Sequence, residues 1–228
     1  MLMQHKAFNV LYLLVFLLLL STVFFEYAGI YQVARPCVLI LLSIYFYIRT
    51  KLKGRFHKRL FTGLLFAGIA DFLSVSFPQQ GTYVFATYNL AAIFYIRAFY
   101  LDFRSAQELD KRGARIGIVI CTILGMGFYG YIRPYLNGDV FPAMLCTFLT
   151  SMLLMMAIFR NHRVNKTSFN LILLGAACLA ITVVLFAINK YKASSDINTL
   201  LMLSSYMAGQ YLVVMGGVER KLLKLDSI

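Results

Sequence analysis

Residues 49–59 read Arg49-Thr50-Lys51-Leu52-Lys53-Gly54-Arg55-Phe56-His57-Lys58-Arg59, six cations set between two long apolar stretches. Before them runs Cys37-Val38-Leu39-Ile40-Leu41-Leu42, and after them Leu60-Phe61-Thr62-Gly63-Leu64-Leu65. A short cationic connection between apolar runs marks a chain that leaves a bilayer and turns back into it. The alternation recurs along the whole sequence. A membrane helix needs about 20 mostly apolar residues, about 17–25 in practice. Eight stretches meet that requirement: 7–25, 34–48, 60–77, 82–103, 114–132, 140–159, 168–188 and 200–218. The second is short and could begin inside the preceding loop, because Gly29-Ile30-Tyr31 is itself apolar. The expected fold is all-α, a polytopic membrane bundle of eight transmembrane helices. No Gly/Ser/Pro-rich linker divides the chain, so residues 1–228 read as a single integral membrane domain.

Composition agrees with that reading. Of the 228 residues, 61% are hydrophobic and only 14% charged, where a soluble domain carries about 25% charged residues. A soluble core of this length could not hide so much apolar surface. A soluble enzyme, a nucleic-acid-binding module and a disordered chain are thereby set aside. The net charge of +13 would suggest nucleic acid in a soluble chain, but here the cations sit in short loops, where they serve topology and anionic headgroups. The four cysteines, Cys37, Cys121, Cys146 and Cys178, lie inside apolar runs without CxxC spacing. They read as small buried hydrophobes, with no disulfide framework. The first stretch does not read as a cleaved leader, since Phe24-Phe25-Glu26-Tyr27 lacks the small residues of a cleavage site.

The charges also count the spans. With eight spans, the N-terminus, the 49–59, 104–115 and 160–167 loops and the C-terminal tail share one face, and they hold 17 of the 22 Lys/Arg. The opposite loops hold four: Arg35, Arg133, Lys190 and Lys192. That asymmetry predicts both termini in the cytoplasm, and an inner plasma membrane in a bacterial host. One span more or fewer would scramble it.

Ionisable groups at bilayer depth are costly and therefore point to function. Two are predicted there, Asp71 in the third span and Arg97 in the fourth. Arg97 lies about 9 Å from the end of its span, close enough to snorkel to the headgroups. Asp71 lies about 16 Å from the cytoplasmic end, near mid-membrane, and is too short to do so. Gly63, Ala67, Ala70 and Asp71 follow i, i+4, i+7, i+8 spacing and share one face of small residues. The carboxyl is thus expected where helices meet, bonded to at least one of Asn89, Tyr95, Thr182, Tyr206 and Gln210. Tyr88 is a further polar group at depth.

Several literal motif matches carry nothing. Gly125-Met126-Gly127-Phe128-Tyr129-Gly130 fits GxGxxG but lies within an apolar span and follows no strand. His5, His57 and His162 are isolated, so no metal site is expected, and neither GxSxG nor a P-loop occurs.

Residues 63–73 resemble the G-L-x-F-S-x-x-G-D-x-x-L signature of the YhhN family of eight-span membrane proteins, some of which are lysoplasmalogenases. Further stretches agree in order. Arg35-Pro36 resembles that family's Lys-Pro, and Ala91-Ala92-Ile93-Phe94-Tyr95-Ile96-Arg97-Ala98-Phe99 its A-H-x-x-Y-x-x-A-F. Gly175-Ala176 through Ala187-Ile188-Asn189-Lys190-Tyr191 is similar to its G-A-x(5)-S-D-S-x-x-A-I-N-R-F, and Tyr206-Met207-Ala208-Gly209-Gln210-Tyr211-Leu212 to its Y-x-x-A-Q-x-L. The likeness covers about residues 34–217. Two departures stand out. The family's second intramembrane Asp falls at Val183, and its fourth-span His at Ala92. Gly63 to Asp71 and Gly175 to Val183 have equal spacing, 112 residues apart, which fits two four-helix halves, one of which has lost its acid.

The resemblance implies a lysoplasmalogenase-like hydrolase that cleaves a vinyl ether to an aldehyde and a glycerophospho-alcohol. Such chemistry needs a proton delivered to the enol carbon and water to capture the resulting oxocarbenium ion. Asp71 is the expected catalytic residue. Arg35, Asn89, Tyr95, Thr182, Tyr206 and Gln210 are the expected substrate-binding residues. No cofactor and no metal is expected, the partner is a membrane lipid or lysophospholipid, and nucleic acid is not a partner. Two other functions fit the same residues, a non-catalytic lysolipid-binding relative and a small proton-coupled carrier.

Overall fold

A computed structural model describes residues 5–25, 27–77, 79, 81–104, 111–136 and 138–223. It contains eight long helices: α1 (Lys6–Phe24), α2 (Ala28–Thr50), α3 (Gly54–Ser76), α4 (Gly81–Arg104), α5 (Lys111–Ile132), α6 (Val140–Ile158), α7 (Lys166–Tyr191) and α8 (Asp196–Val218). Each is long and apolar enough to cross a bilayer. Among the described residues the extended structure is a lone antiparallel bridge between Val164 and Leu222. The outer surface carries exposed Leu13, Leu14, Leu17 and Leu18 on α1 and Ile118, Ile123 and Leu124 on α5, a contact surface suited to lipid tails. The chain is an integral, multi-pass membrane protein.

Two boundaries differ most from the sequence reading, by six residues each. Helix α2 begins at Ala28, so Arg35 is intrahelical and not a loop cation. The apolar Gly29-Ile30-Tyr31 carries the helix outward, and Pro36 is tolerated inside it although it leaves the Gln32 carbonyl without its usual N–H donor. Helix α3 begins at Gly54, six residues earlier than expected, and α2 runs to Thr50, so only residues 51–53 of the cationic stretch lie outside helices. The turn that remains is tight: Lys51 and Leu52 adopt positive φ (46° and 49°) and Gly54 has φ 88°. That last value is one that glycine reaches without strain.

The tightest packing is within the hairpins α3–α4 and α7–α8. Gly63 allows the first. A Cβ there would stand 2.6 Å from the Tyr95 ring carbons and 3.1 Å from the Ala91 carbonyl. Gly175 and Gly209 do the same for the second, each lying about as close to the other helix's backbone. Contacts recur in order through the two halves: α2 on α3 and α3 on α4, then α6 on α7 and α7 on α8. Across the halves, α4 lies on α6 and α8 on α2. Helix α8 is the most enclosed, while α1 and α5 are peripheral. The start of α1 meets the end of α8, where His5 Nε2 lies 2.9 Å from Glu219 Oε1. Both ends of the bundle therefore share one side, called the terminal side below.

This arrangement predicts a simple labelling result. A cysteine placed at Arg55, on the terminal side, and one at Gln79, between α3 and α4, should react with an impermeant thiol reagent from opposite sides of the membrane. Reaction of both from one side would contradict an eight-span path.

Candidate functional site

Helix α3 presents one buried face, on which Gly63, Ala67, Ala70 and Asp71 all lie inside the bundle as their spacing foretold. Small residues at this face bring α2, α4 and α8 close, and Asp71 is fully buried among them. Because α3 starts at Gly54, the carboxyl sits about 25 Å from the terminal-side end of the helix, whose first six residues are the cationic stretch 54–59, and about 7.5 Å from the opposite end.

The hydrogen-bond donors to Asp71 come from α2 and α4. Arg35 on α2 donates from Nε to Asp71 Oδ1 at 3.0 Å, and Tyr88 on α4 donates its hydroxyl to the same oxygen at 2.5 Å. Arg35 further donates from Nη1 to the Tyr31 hydroxyl at 2.9 Å and from Nη2 to the Tyr88 hydroxyl at 3.0 Å. A carboxylate and a guanidinium removed from water survive only when their remaining donors and acceptors are bonded, and the two tyrosines meet that need. Of the residues anticipated as partners, Tyr206 stands beside the carboxyl within hydrogen-bonding reach, though not in a geometry that forms a bond; Arg35, anticipated only as a substrate-binding residue, donates to it directly. Tyr206 crosses Tyr88 edge to face, ring centroids 6.1 Å apart, and interacts electrostatically with Asp71. Tyr95 donates to Gln210 Oε1 at 2.7 Å, one layer closer to the terminal side. Asn89 is buried one residue beyond Tyr88. Thr182 stands apart: its hydroxyl returns to the Cys178 carbonyl four residues back at 2.9 Å, a local bond that satisfies it within its own helix.

Among the described residues, three buried side-chain polar atoms form no hydrogen bond: Asp71 Oδ2, Tyr206 Oη and Asn89 Nδ2. Unpaired polar groups in a protein interior are rare and costly. Asp71 Oδ2 and Tyr206 Oη belong to one site, and Asn89 follows Tyr88 on α4.

Other sequence expectations fare variously. Arg97 is exposed on α4, in keeping with snorkelling. Cys37 is exposed and Cys121 buried, with Cys146 and Cys178 between, and all four are free thiols. His5 is buried rather than an isolated loop residue, held between Glu219 and the Tyr45 hydroxyl. Val183 and Ala92, where the resembled family carries Asp and His, are half-buried on α7 and α4. Helix α7 packs on α8, α6 and α5, whereas Asp71 faces α2, α4 and α8.

Sequence reasoning missed a second polar cluster altogether. Asp102, in the last turn of α4, is fully buried, as is Arg160 just after α6. Arg160 Nε donates to Asp102 Oδ2 at 2.8 Å, and Arg220 Nε and Nη2 donate to Oδ1 at 2.8 and 2.5 Å. Arg160 also donates from Nη2 to Ser168 Oγ, whose hydroxyl donates to the Gly216 carbonyl at 2.6 Å. The Phe56 ring packs against both guanidinium groups. Burial pulls the Arg160 guanidinium below its ordinary range, and the Asp102 carboxylate opposes that pull. The signal was present in the i+3/i+4 run Tyr95, Ala98, Phe99, Asp102 along the buried face of α4.

The sequence model of the YhhN family matches residues 30–217. The chain belongs to the YhhN family. No curated protein and no solved structure matches it. The YhhN segment contains every residue of the Asp71 site, from Tyr31 to Gln210, while α1 and Arg220 fall outside it.

Proposed function

We propose that this YhhN-family protein is a membrane hydrolase that cleaves the vinyl-ether bond of lysoplasmalogens, with Asp71 as the acid. One observation carries the reading. Oδ1 of Asp71 accepts both hydrogen bonds, from Arg35 and from Tyr88, and Oδ2 is left buried and unpartnered. Asp71 rests as the carboxylate of its Arg35 pair; a proton taken up on Oδ2 as substrate binds forms no bond to the protein, with the Tyr206 hydroxyl beside it, and is available to the enol carbon. Transfer makes the carbon–hydrogen bond, turns the ether into an oxocarbenium ion and leaves a carboxylate that the fixed Arg35 charge meets. Water then adds to the cation and returns its proton to Oδ2, giving a hemiacetal that collapses to aldehyde and glycerophospho-alcohol. The sum is substrate plus water, and the carboxyl is restored. A single carboxyl thus serves as acid and then as base, which suits a chain with valine at position 183. The unpartnered Tyr206 hydroxyl and Asn89 amide are the groups that would hold the attacking water or the ether oxygen.

The test is aldehyde release by the purified protein from an alkenyl lysophospholipid, with the acyl analogue as control. Aldehyde from the alkenyl lipid alone is the expected result. Binding of both lipids without aldehyde would instead identify a lysolipid-binding relative, and proton flux coupled to a solute would identify a carrier.

A further inference from the structure

The polar groups of the Asp71 site are graded by depth. Measured along their helices from the side opposite the termini, Tyr31 lies about 4.5 Å in, Asp71 about 7.5 Å, and Arg35 and Tyr88 about 10.5 Å. Tyr206 lies about 15 Å in and the Tyr95–Gln210 pair about 21 Å. Below that pair the bundle is dry: Leu60, Leu64, Ala98, Phe99, Val213 and Val214 are all at most 1% exposed. Gly63 seats the Tyr95 ring so closely that no Cβ fits between them, which closes the path toward the terminal side. On the opposite side the site stays open to its surroundings, with the Arg35 side chain 15% exposed and Tyr31, Ser74 and Tyr88 half-buried.

We propose that the site takes a single-chain phospholipid from the leaflet opposite the two chain ends, with Arg35 holding the phosphate while the first carbons of the chain lie against Asp71 Oδ2. The inference rests on the lipid reading of this site given above. Depth supports it. Side chains lean toward the N-terminus of their helix, so the Arg35 guanidinium reaches outward to the Tyr31 hydroxyl one turn nearer that side while the Asp71 carboxyl leans inward from α3, and the guanidinium lies on the headgroup side of the carboxyl. Chemistry supports it too. Arg35 spends one N–H each from Nε, Nη1 and Nη2 on Asp71, Tyr31 and Tyr88, and a guanidinium has five. The two not used in these bonds suit a phosphate oxygen. A lipid placed this way reaches the acid without leaving its leaflet.

The test does not depend on turnover. In a chain whose four cysteines are replaced by alanine, Ser74→Cys places a thiol one turn from Asp71, where the serine hydroxyl now bonds the Asp71 carbonyl at 2.8 Å. His57→Cys marks the terminal side. In lipid vesicles, an impermeant thiol reagent should reach residue 74 only from the side opposite residue 57. Acyl lysophosphatidylcholine, which has no vinyl ether, should slow that labelling several-fold. The phosphate-free monoacylglycerol should not, and Arg35→Gln should remove the protection. Tyr31→Cys on α2 is a second reporter with the same expectation. Labelling from the terminal side, absence of protection, or equal protection by monoacylglycerol would overturn the inference. Because the acyl lipid is not hydrolysed at a vinyl ether, a failed aldehyde assay and a failed protection assay are separate results.

Discussion

Asp71→Asn is expected to lower aldehyde release by at least about 10²–10⁴-fold, the share that general acid–base catalysis supplies. Asparagine keeps an acceptor for Arg35 and Tyr88 but places an amide where Oδ2 now lies, and an amide cannot protonate carbon. The structure adds a second consequence that the sequence did not suggest. Arg35 is only 15% exposed and pairs with a fully buried carboxylate. Removing one partner of such a pair strands the other charge, at a cost of about 3–5 kcal/mol. The variant should therefore melt earlier as well as lose activity. Arg35→Gln combined with Asp71→Asn removes both charges, so the melting temperature should recover toward that of the native protein while activity stays lost. Thermal unfolding in detergent, run beside the aldehyde assay, separates the two effects. Activity in Asp71→Asn, or its return in the double variant, would remove the catalytic assignment.

The span count and the position of the acid were legible because both rest on repetition: eight apolar runs, a one-sided charge pattern, and small residues at helical spacing around Asp71. Of the groups around Asp71, Tyr206 was legible, and Arg35 and Tyr88 as direct donors were not. Arg35 falls at the edge of an apolar run, where a cation normally belongs to a loop. Only the pairing with a residue 36 positions away makes it affordable inside α2. Tyr88 is one of 15 tyrosines, and nothing in its neighbours distinguishes it from one that merely packs. Thr182 was the reverse case, a polar residue beside a suggestive position whose hydroxyl is satisfied by its own helix. Asp102 and Arg160 looked like ordinary end-of-span charges because their pairing closes across 58 residues. Long-range ion pairs are what a single sequence conceals, and both polar clusters of this protein are built from them.

The second cluster predicts an asymmetry in stability. Asp102 is the shared acceptor of two arginines, one of them fully buried. Asp102→Ala leaves Arg160 at 0% exposure and Arg220 beside it with no counter-charge between them, and should cost at least about 3–5 kcal/mol. Arg160→Met is different. Asp102 then keeps Arg220, which contacts Oδ1 through two nitrogens, and the methionine fills the space against Phe56 and Phe99 that the guanidinium now occupies. The cost of about 3–5 kcal/mol for breaking a buried pair comes from the charge left uncompensated, and here Arg220 still compensates Asp102. The expected order in thermal unfolding is therefore native, then Arg160→Met close behind, then Asp102→Ala far below. The cluster joins the terminal-side ends of α4, α7 and α8 to the α6–α7 link, and the dry layer of Leu60, Phe99 and Val213 separates it from Asp71. Below its melting temperature, then, Arg160→Met should bind lysolipid as the native protein does. Equal destabilisation by the two substitutions would mean that Arg160, not the shared carboxylate, holds these helix ends together.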